Sequence, residues 1–103
     1  MTLAEMGELL KKTELPVAYE CFPENEAPAL PFICYINPQD NNFAADGAVY
    51  FSAKVIHVEL YTEKRDVELE KVVEGVLATF FFTKAVNHID DEKCYQIVYE
   101  LEV

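Results

Sequence analysis

Ala48-Val49-Tyr50-Phe51-Ser52-Ala53-Lys54-Val55-Ile56-His57-Val58-Glu59-Leu60-Tyr61-Thr62 reads as one unbroken β-strand. Val49, Phe51, Ala53, Val55, His57, Glu59 and Tyr61 take one face; Tyr50, Ser52, Lys54, Ile56, Val58 and Leu60 take the other. The faces change character near Lys54. Before it both are mixed; after it the Ile56-Val58-Leu60 face is apolar and predicts a core. At ~3.3 Å per residue the segment would extend about 50 Å. A compact chain of this length has a radius of gyration of only roughly 13 Å. Either the strand bends at a bulge, or its first half leaves the body as an arm.

Upstream, Asn37-Pro38-Gln39-Asp40-Asn41-Asn42 is turn chemistry, and Asp46-Gly47 is a further turn signal. Phe32-Ile33-Cys34-Tyr35-Ile36 is apolar on both faces and predicts a central strand. Residues 23–31 hold three prolines and two glutamates and read as a loop. Residues 17–22 predict a first strand, bounded by Pro16 and Pro23. Before it, Thr2 and Glu5 form a T-x-x-E capping box, and Leu3, Met6, Leu9 and Leu10 recur at helical spacing. A short amphipathic helix over residues 3–12 follows, with Lys11 and Lys12 in its last turn.

Downstream, Glu63-Lys64-Arg65 turns the chain and Asp66 is a good N-cap. Leu69, Val72, Val73, Val76, Leu77 and Phe80 give a second helix its apolar stripe. Glu68, Glu70 and Glu74 read as its solvent face, as Glu5, Glu8 and Glu14 do for the first helix. Residues 81–89 can form a strand, Asp90-Asp91-Glu92 a polar turn, and residues 93–103 a strand that alternates cleanly. Tyr95, Ile97, Tyr99, Leu101 and Val103 share one of its faces. The order is α-β-β-β-α-β-β. It predicts an α+β fold, a two-layer sandwich with a mostly antiparallel sheet and both helices on one face. The first three strands are expected to form an antiparallel meander.

The chain of 103 residues is one domain, residues 1–103, with 51% apolar residues to build a core. Nineteen acidic against eight basic residues give a net charge of -11. That balance opposes direct nucleic-acid binding and an anionic membrane surface. No apolar run approaches the ~20 residues of a membrane span. The N-terminus shows no basic region or signal-type stretch, so a cytoplasmic chain is expected. Cys21, Cys34 and Cys94 lack metal or C-x-x-C spacing and lie in apolar stretches, where reduced, mostly buried thiols are expected.

None of the phosphate-cradling, zinc-binding or nucleophile-elbow motifs occurs. His57 alternates with apolar residues on its strand and reads as a structural histidine. His88 beside Asp90 and Asp91 is the only metal candidate worth naming, and carboxylates near a turn are usually solvated. The sequence therefore predicts no catalytic residue, no metal and no cofactor. Its aromatics are more informative. Phe43 lies in a polar loop, Tyr50 and Phe51 open the long strand, and Tyr95 and Tyr99 share a face. Phe80-Phe81-Phe82 cannot all point inward in one regular element. Phe43, Asp46, Tyr50, Phe51, Tyr95 and Tyr99 are the interface candidates. Residues 37–52 are expected to form a loop and arm that order against a neighbour. Residues 16–47 carry five acids and no base, whereas residues 48–65 carry three bases against two acids. That asymmetry suits head-to-tail contact between copies.

Several stretches resemble a viral family. Leu3-Ala4-Glu5-Met6-Gly7-Glu8-Leu9-Leu10 is followed by Leu15-Pro16-Val17-Ala18-Tyr19, then Ala29-Leu30-Pro31-Phe32-Ile33-Cys34-Tyr35, then Val58-Glu59-Leu60-Tyr61-Thr62 and the second helix. This succession resembles the tail terminators, or tail-to-head joining proteins, of long-tailed phages and prophages. Phe80-Phe81-Phe82 departs from the Gly-containing turn usual there. The resemblance implies a structural virion protein, assembled in the bacterial host cytoplasm. It implies a ring of copies, usually hexameric, that meets tail-tube and head-connector proteins. The competing expectation is an acidic DNA-mimic inhibitor of phage origin, which eight interspersed basic residues disfavour.

Overall fold

The structure is a computed structural model. It describes the backbone of every residue except Met1, Cys21, Glu24, Asn25, Gln39, Asp46, Gly47 and Val103, and describes residues 40–54 by backbone alone. Helix α1 (Leu3–Leu10) starts on the capping box: Thr2 Oγ1 accepts from the Glu5 amide at 3.1 Å, and Glu5 Oε1 accepts from the Thr2 amide at 2.9 Å. A 3₁₀ turn (Lys11–Thr13) extends it, and Glu14 closes the end at φ 66°. Then follow β1 (Val17–Tyr19), β2 (Phe32–Ile36), β3 (Asp40–Ala45), β4 (Ala48–Thr62), α2 (Val67–Val76), β5 (Phe82–Ile89) and β6 (Cys94–Glu102).

The fold is α+β, with one mixed sheet in the order β1-β2-β4-β6-β5; β3 pairs with β4 off that path. Ile33 and Tyr35 of β2, Ile56, Val58 and Leu60 of β4, and Ile97, Tyr99 and Leu101 of β6 point to one side. Met6 and Leu10 of α1 and Val73 and Leu77 of α2 cover them, so both helices lie on that side. Each such side chain taken out of water contributes roughly 1.5–3 kcal/mol.

Two expectations about the strands are corrected. The first three strands do not form an antiparallel meander, because β1 runs parallel to β2, Val17 opposite Ile33 and Tyr19 opposite Tyr35. Parallel neighbours need a connection of about a dozen residues. The proline-rich segment after β1 has that length and carries the chain back to its starting edge. The second correction is β3. The Asn-rich stretch read as turn is extended, because residues 48–54 of β4 offer it a ladder from Asp40 opposite Lys54 to Ala45 opposite Ala48, interrupted by one register shift. Pairing outweighs the weak strand preference of Asn and Asp.

The long strand keeps the limits read from sequence. Residues 55–62 pair with both β2 and β6, while residues 48–54 pair with β3 alone. A two-stranded ribbon thus leaves the three-stranded pairing of β2, β4 and β6, with a register shift between Phe43 and Ala44. The molecule measures 48 × 28 × 23 Å.

Candidate interaction surface

Helix α2 seats a carboxylate in the core. Glu70, read from sequence as solvent-facing, is 1% exposed. It lies three and seven residues before Val73 and Leu77, on their stripe, whereas Val72 turns outward at 47% exposure. Arg65 grips Glu70 with two hydrogen bonds, at 2.9 and 3.2 Å, and Lys84 Nζ from β5 lies 2.7 Å from Glu70 Oε1. Lys84 also reaches Glu74 at 2.8 Å, and the Tyr99 hydroxyl donates to Glu74 at 2.9 Å. Burial acts to raise the Glu70 pKa, but the hydrogen bonds and charges of Arg65 and Lys84 together outweigh it and hold it below the ordinary value. The same bonds to Glu70 and Glu74 push Lys84 up. Every charge here has a partner, and the cluster ties α2 to β5 through side chains.

The opposite side of the sheet carries no helix. His57 Nε2 lies 2.9 Å from Glu100 Oε2 across the β4–β6 ladder. The Tyr61 hydroxyl donates to Glu59 at 2.8 Å and accepts from Gln96 at 3.0 Å. Burial and the Glu59 contact raise the Tyr61 pKa. At one end of this side an open groove of about 590 Å³ lies among Phe22, Leu30, Phe32, Tyr61 and Ile89. Cys34 and Cys94 line its floor; each is 4% exposed and neither forms a disulfide. Cys21 lies outside the described residues. His88 Nδ1 meets Asp90 Oδ1 at 2.6 Å. Among the described residues, no group of three or more His, Cys, Asp or Glu side chains is placed to hold a metal ion.

Strand β5 is the long edge of the sheet. It pairs with β6 along its full length, in an unbroken register from Phe82 opposite Leu101 to Ile89 opposite Cys94, and with no other strand among the described residues. Its six middle residues, from Thr83 to His88, are all exposed, so neither layer covers this edge. Directly before it Phe81 is 99% exposed, while Phe80 and Phe82 on either side pack against the core. The tripled phenylalanine was the sequence signal for that outward ring, although Phe81 was absent from the candidates it produced.

The six interface candidates separate as follows. Phe43 lies on β3, and Tyr50 and Phe51 on β4, all within the ribbon; their side chains and Asp46 lie outside the described residues. Tyr95 is half-buried and meets the His88 ring at 4.8 Å between centroids. Tyr99 is fully buried against Phe82, at 5.4 Å between ring centroids, and is part of the core rather than of an accessible surface. Its place on the same strand face as Ile97 and Leu101, both in the core, accounts for that burial.

No protein-family model matches the chain, and no curated protein matches it.

Proposed function

We propose that the chain is a structural assembly protein, a ring-forming subunit of the kind found at the tail-to-head junction of long-tailed phages. The observation that carries this reading is the ribbon of β3 and residues 48–54, which pairs with no other strand among the described residues. A two-stranded ribbon alone is marginal in water. Such an element has a physical rationale when a neighbour completes it. The uncovered β5 edge and the outward Phe81 supply a second surface on the same small body. The polar and apolar contacts of the described side chains are otherwise those of a packed scaffold. In this role the copies meet one another and then tail-tube and head-connector proteins, and the chain itself performs no chemistry.

Sedimentation velocity over rising protein concentration tests the reading, with negative-stain electron microscopy of the associated fraction. Closed rings of one size are expected. A chain that stays monomeric throughout and is missing from purified tails would overturn it, as would stoichiometric binding to a basic DNA-binding protein with loss of that protein's DNA affinity.

A further inference from the structure

We infer that the β5 edge, with Phe81 at its mouth, is the acceptor for strand β3 of a second copy, joined by main-chain hydrogen bonds. The inference rests on the assembly reading and specifies the contact that builds it.

Both elements carry an unsatisfied backbone edge. Among the described residues β5 pairs on one side only, with β6, and β3 on one side only, with β4. An open strand edge is a template for another strand, and proteins that stay monomeric blunt it with proline, a bulge or free lysines. β5 has no proline and no register shift. Its single lysine, Lys84, is drawn onto Glu70 and Glu74 of α2. The lengths agree as well. β3 has six residues, and the exposed middle of β5 has six, about 20 Å each at the usual rise.

Charge selects the occupant. In a chain of net charge -11, residues 81–89 contain no acid and include Lys84 and His88. β3 itself carries one acid, Asp40, and no base. Pairing β5 with β5 of a second copy would bring two acid-free strands together, with no opposite charge between them. Pairing β5 with β3 sets the acid-free strand against the base-free one. Phe81 then supplies a desolvated aromatic anchor beside the seam, as interface centres favour. Because donor and acceptor are different elements, the contact is head-to-tail, and its repetition closes a ring when the rotation permits.

Two variants of the whole domain, one with the ribbon cut out and one with the acceptor edge spoiled, test the pairing. In the first, residues 38–54 are replaced by Gly-Asn-Gly, which joins β2 to the remaining half of β4 and removes the ribbon. In the second, Phe81→Ser is combined with Val86→Glu, both at exposed positions, to spoil the acceptor edge. Wild-type protein should associate as its concentration rises, and each variant alone should stay monomeric. An equimolar mixture should give a 1:1 dimer and nothing larger, since one partner keeps the acceptor and the other keeps the ribbon. Phe81→Ser alone should weaken association at least about tenfold. Hydrogen exchange on wild-type protein gives a readout without variants: β5 and β3 amides should slow in the associated species. Association of the ribbonless variant by itself would overturn the inference in favour of another seam. So would a monomeric mixture, or unchanged β5 exchange, while wild-type protein still forms rings; the assembly reading would then stand without this contact. A wild-type protein that never associates would remove both.

Discussion

The Tyr35 hydroxyl of β2 lies directly over Gly7 of α1: a Cβ on Gly7 would fall 2.5 Å from Tyr35 Oη and 3.1 Å from Cζ. The contact sets how closely the first helix approaches the sheet. Tyr35 is buried and edge-packed on Tyr19 at 5.3 Å between centroids, so its ring has little room to yield.

Gly7→Ala therefore sets two effects against each other. Alanine in place of glycine favours a helix by about 1 kcal/mol. Overpacking a closed contact costs about 1–3 kcal/mol. The expected net effect is a loss of about 1 kcal/mol in chemical denaturation. With Tyr35→Phe in the background, which removes the clashing oxygen, Gly7→Ala should become neutral or stabilising. A gain in stability from Gly7→Ala in the otherwise wild-type chain would show that the helix is not held at this distance.

Glu70 governs acid stability. Its folded pKa is held below the ordinary value, and unfolding releases it. The stabilisation is fully present above the unfolded pKa and is lost as pH falls through the folded one. The melting temperature of wild-type protein should fall on acidification below about pH 4.5, the reference value. Glu70→Gln should be less stable at neutral pH and should show a flatter acid limb. Glu70→Ala, which leaves a void and two cations without their carboxylate, should cost about 3 kcal/mol. Equal acid limbs for wild type and Glu70→Gln would refute the assignment.

Tyr99→Phe separates core from interface. The change deletes the hydroxyl that donates to Glu74 and keeps the ring against Phe82. A loss of about 1 kcal/mol is expected, the usual net worth of such a bond. Self-association should not change once the variant is compared at equal folded fraction. Weakened association at full folding would return Tyr99 to the interface.

Thiol reactivity reads the sheet's uncovered side. Burial first, and then the negative charge of Glu92, raise the Cys94 pKa, which lowers its thiolate fraction. In Cys21→Ser protein, Cys34 and Cys94 should react with a disulfide reagent only slowly until denaturant is added. Prompt labelling of both in native buffer would mean that the groove end of the sheet opens readily.

Much of the body was legible because its strands alternate and its helices carry stripes. The apolar Ile56-Val58-Leu60 face marked the core side of the long strand, and the Thr2–Glu5 box announced the first helix; the alternation around Ile97 and Leu101 was read, but Tyr99 beside them was taken for an interface residue. Three features escaped for separate reasons. Asp40-Asn41-Asn42 has turn composition, and only a partner strand far longer than the body makes it extended. The direction of β1 depends on where the twelve residues that follow it lead the chain, which local propensity does not encode. Glu70 hid because a carboxylate among valines reads as solvent-facing until its cations are known. Arg65 comes from the preceding turn and Lys84 from a strand beyond the helix. The spacing Glu70-Val73-Leu77 was the available signal.

The ribbon enters and leaves the body at neighbouring points, between the end of β2 and the middle of β4. Residue pairs can be added or deleted there without moving any side chain of the core. Each added pair lengthens it by roughly 3.3 Å. Reach is thus a quantity that mutation can tune separately from folding stability. A lineage could adjust the spacing between copies, or to a wider partner, by insertions in this one segment while the helices and the inner face stay as they are.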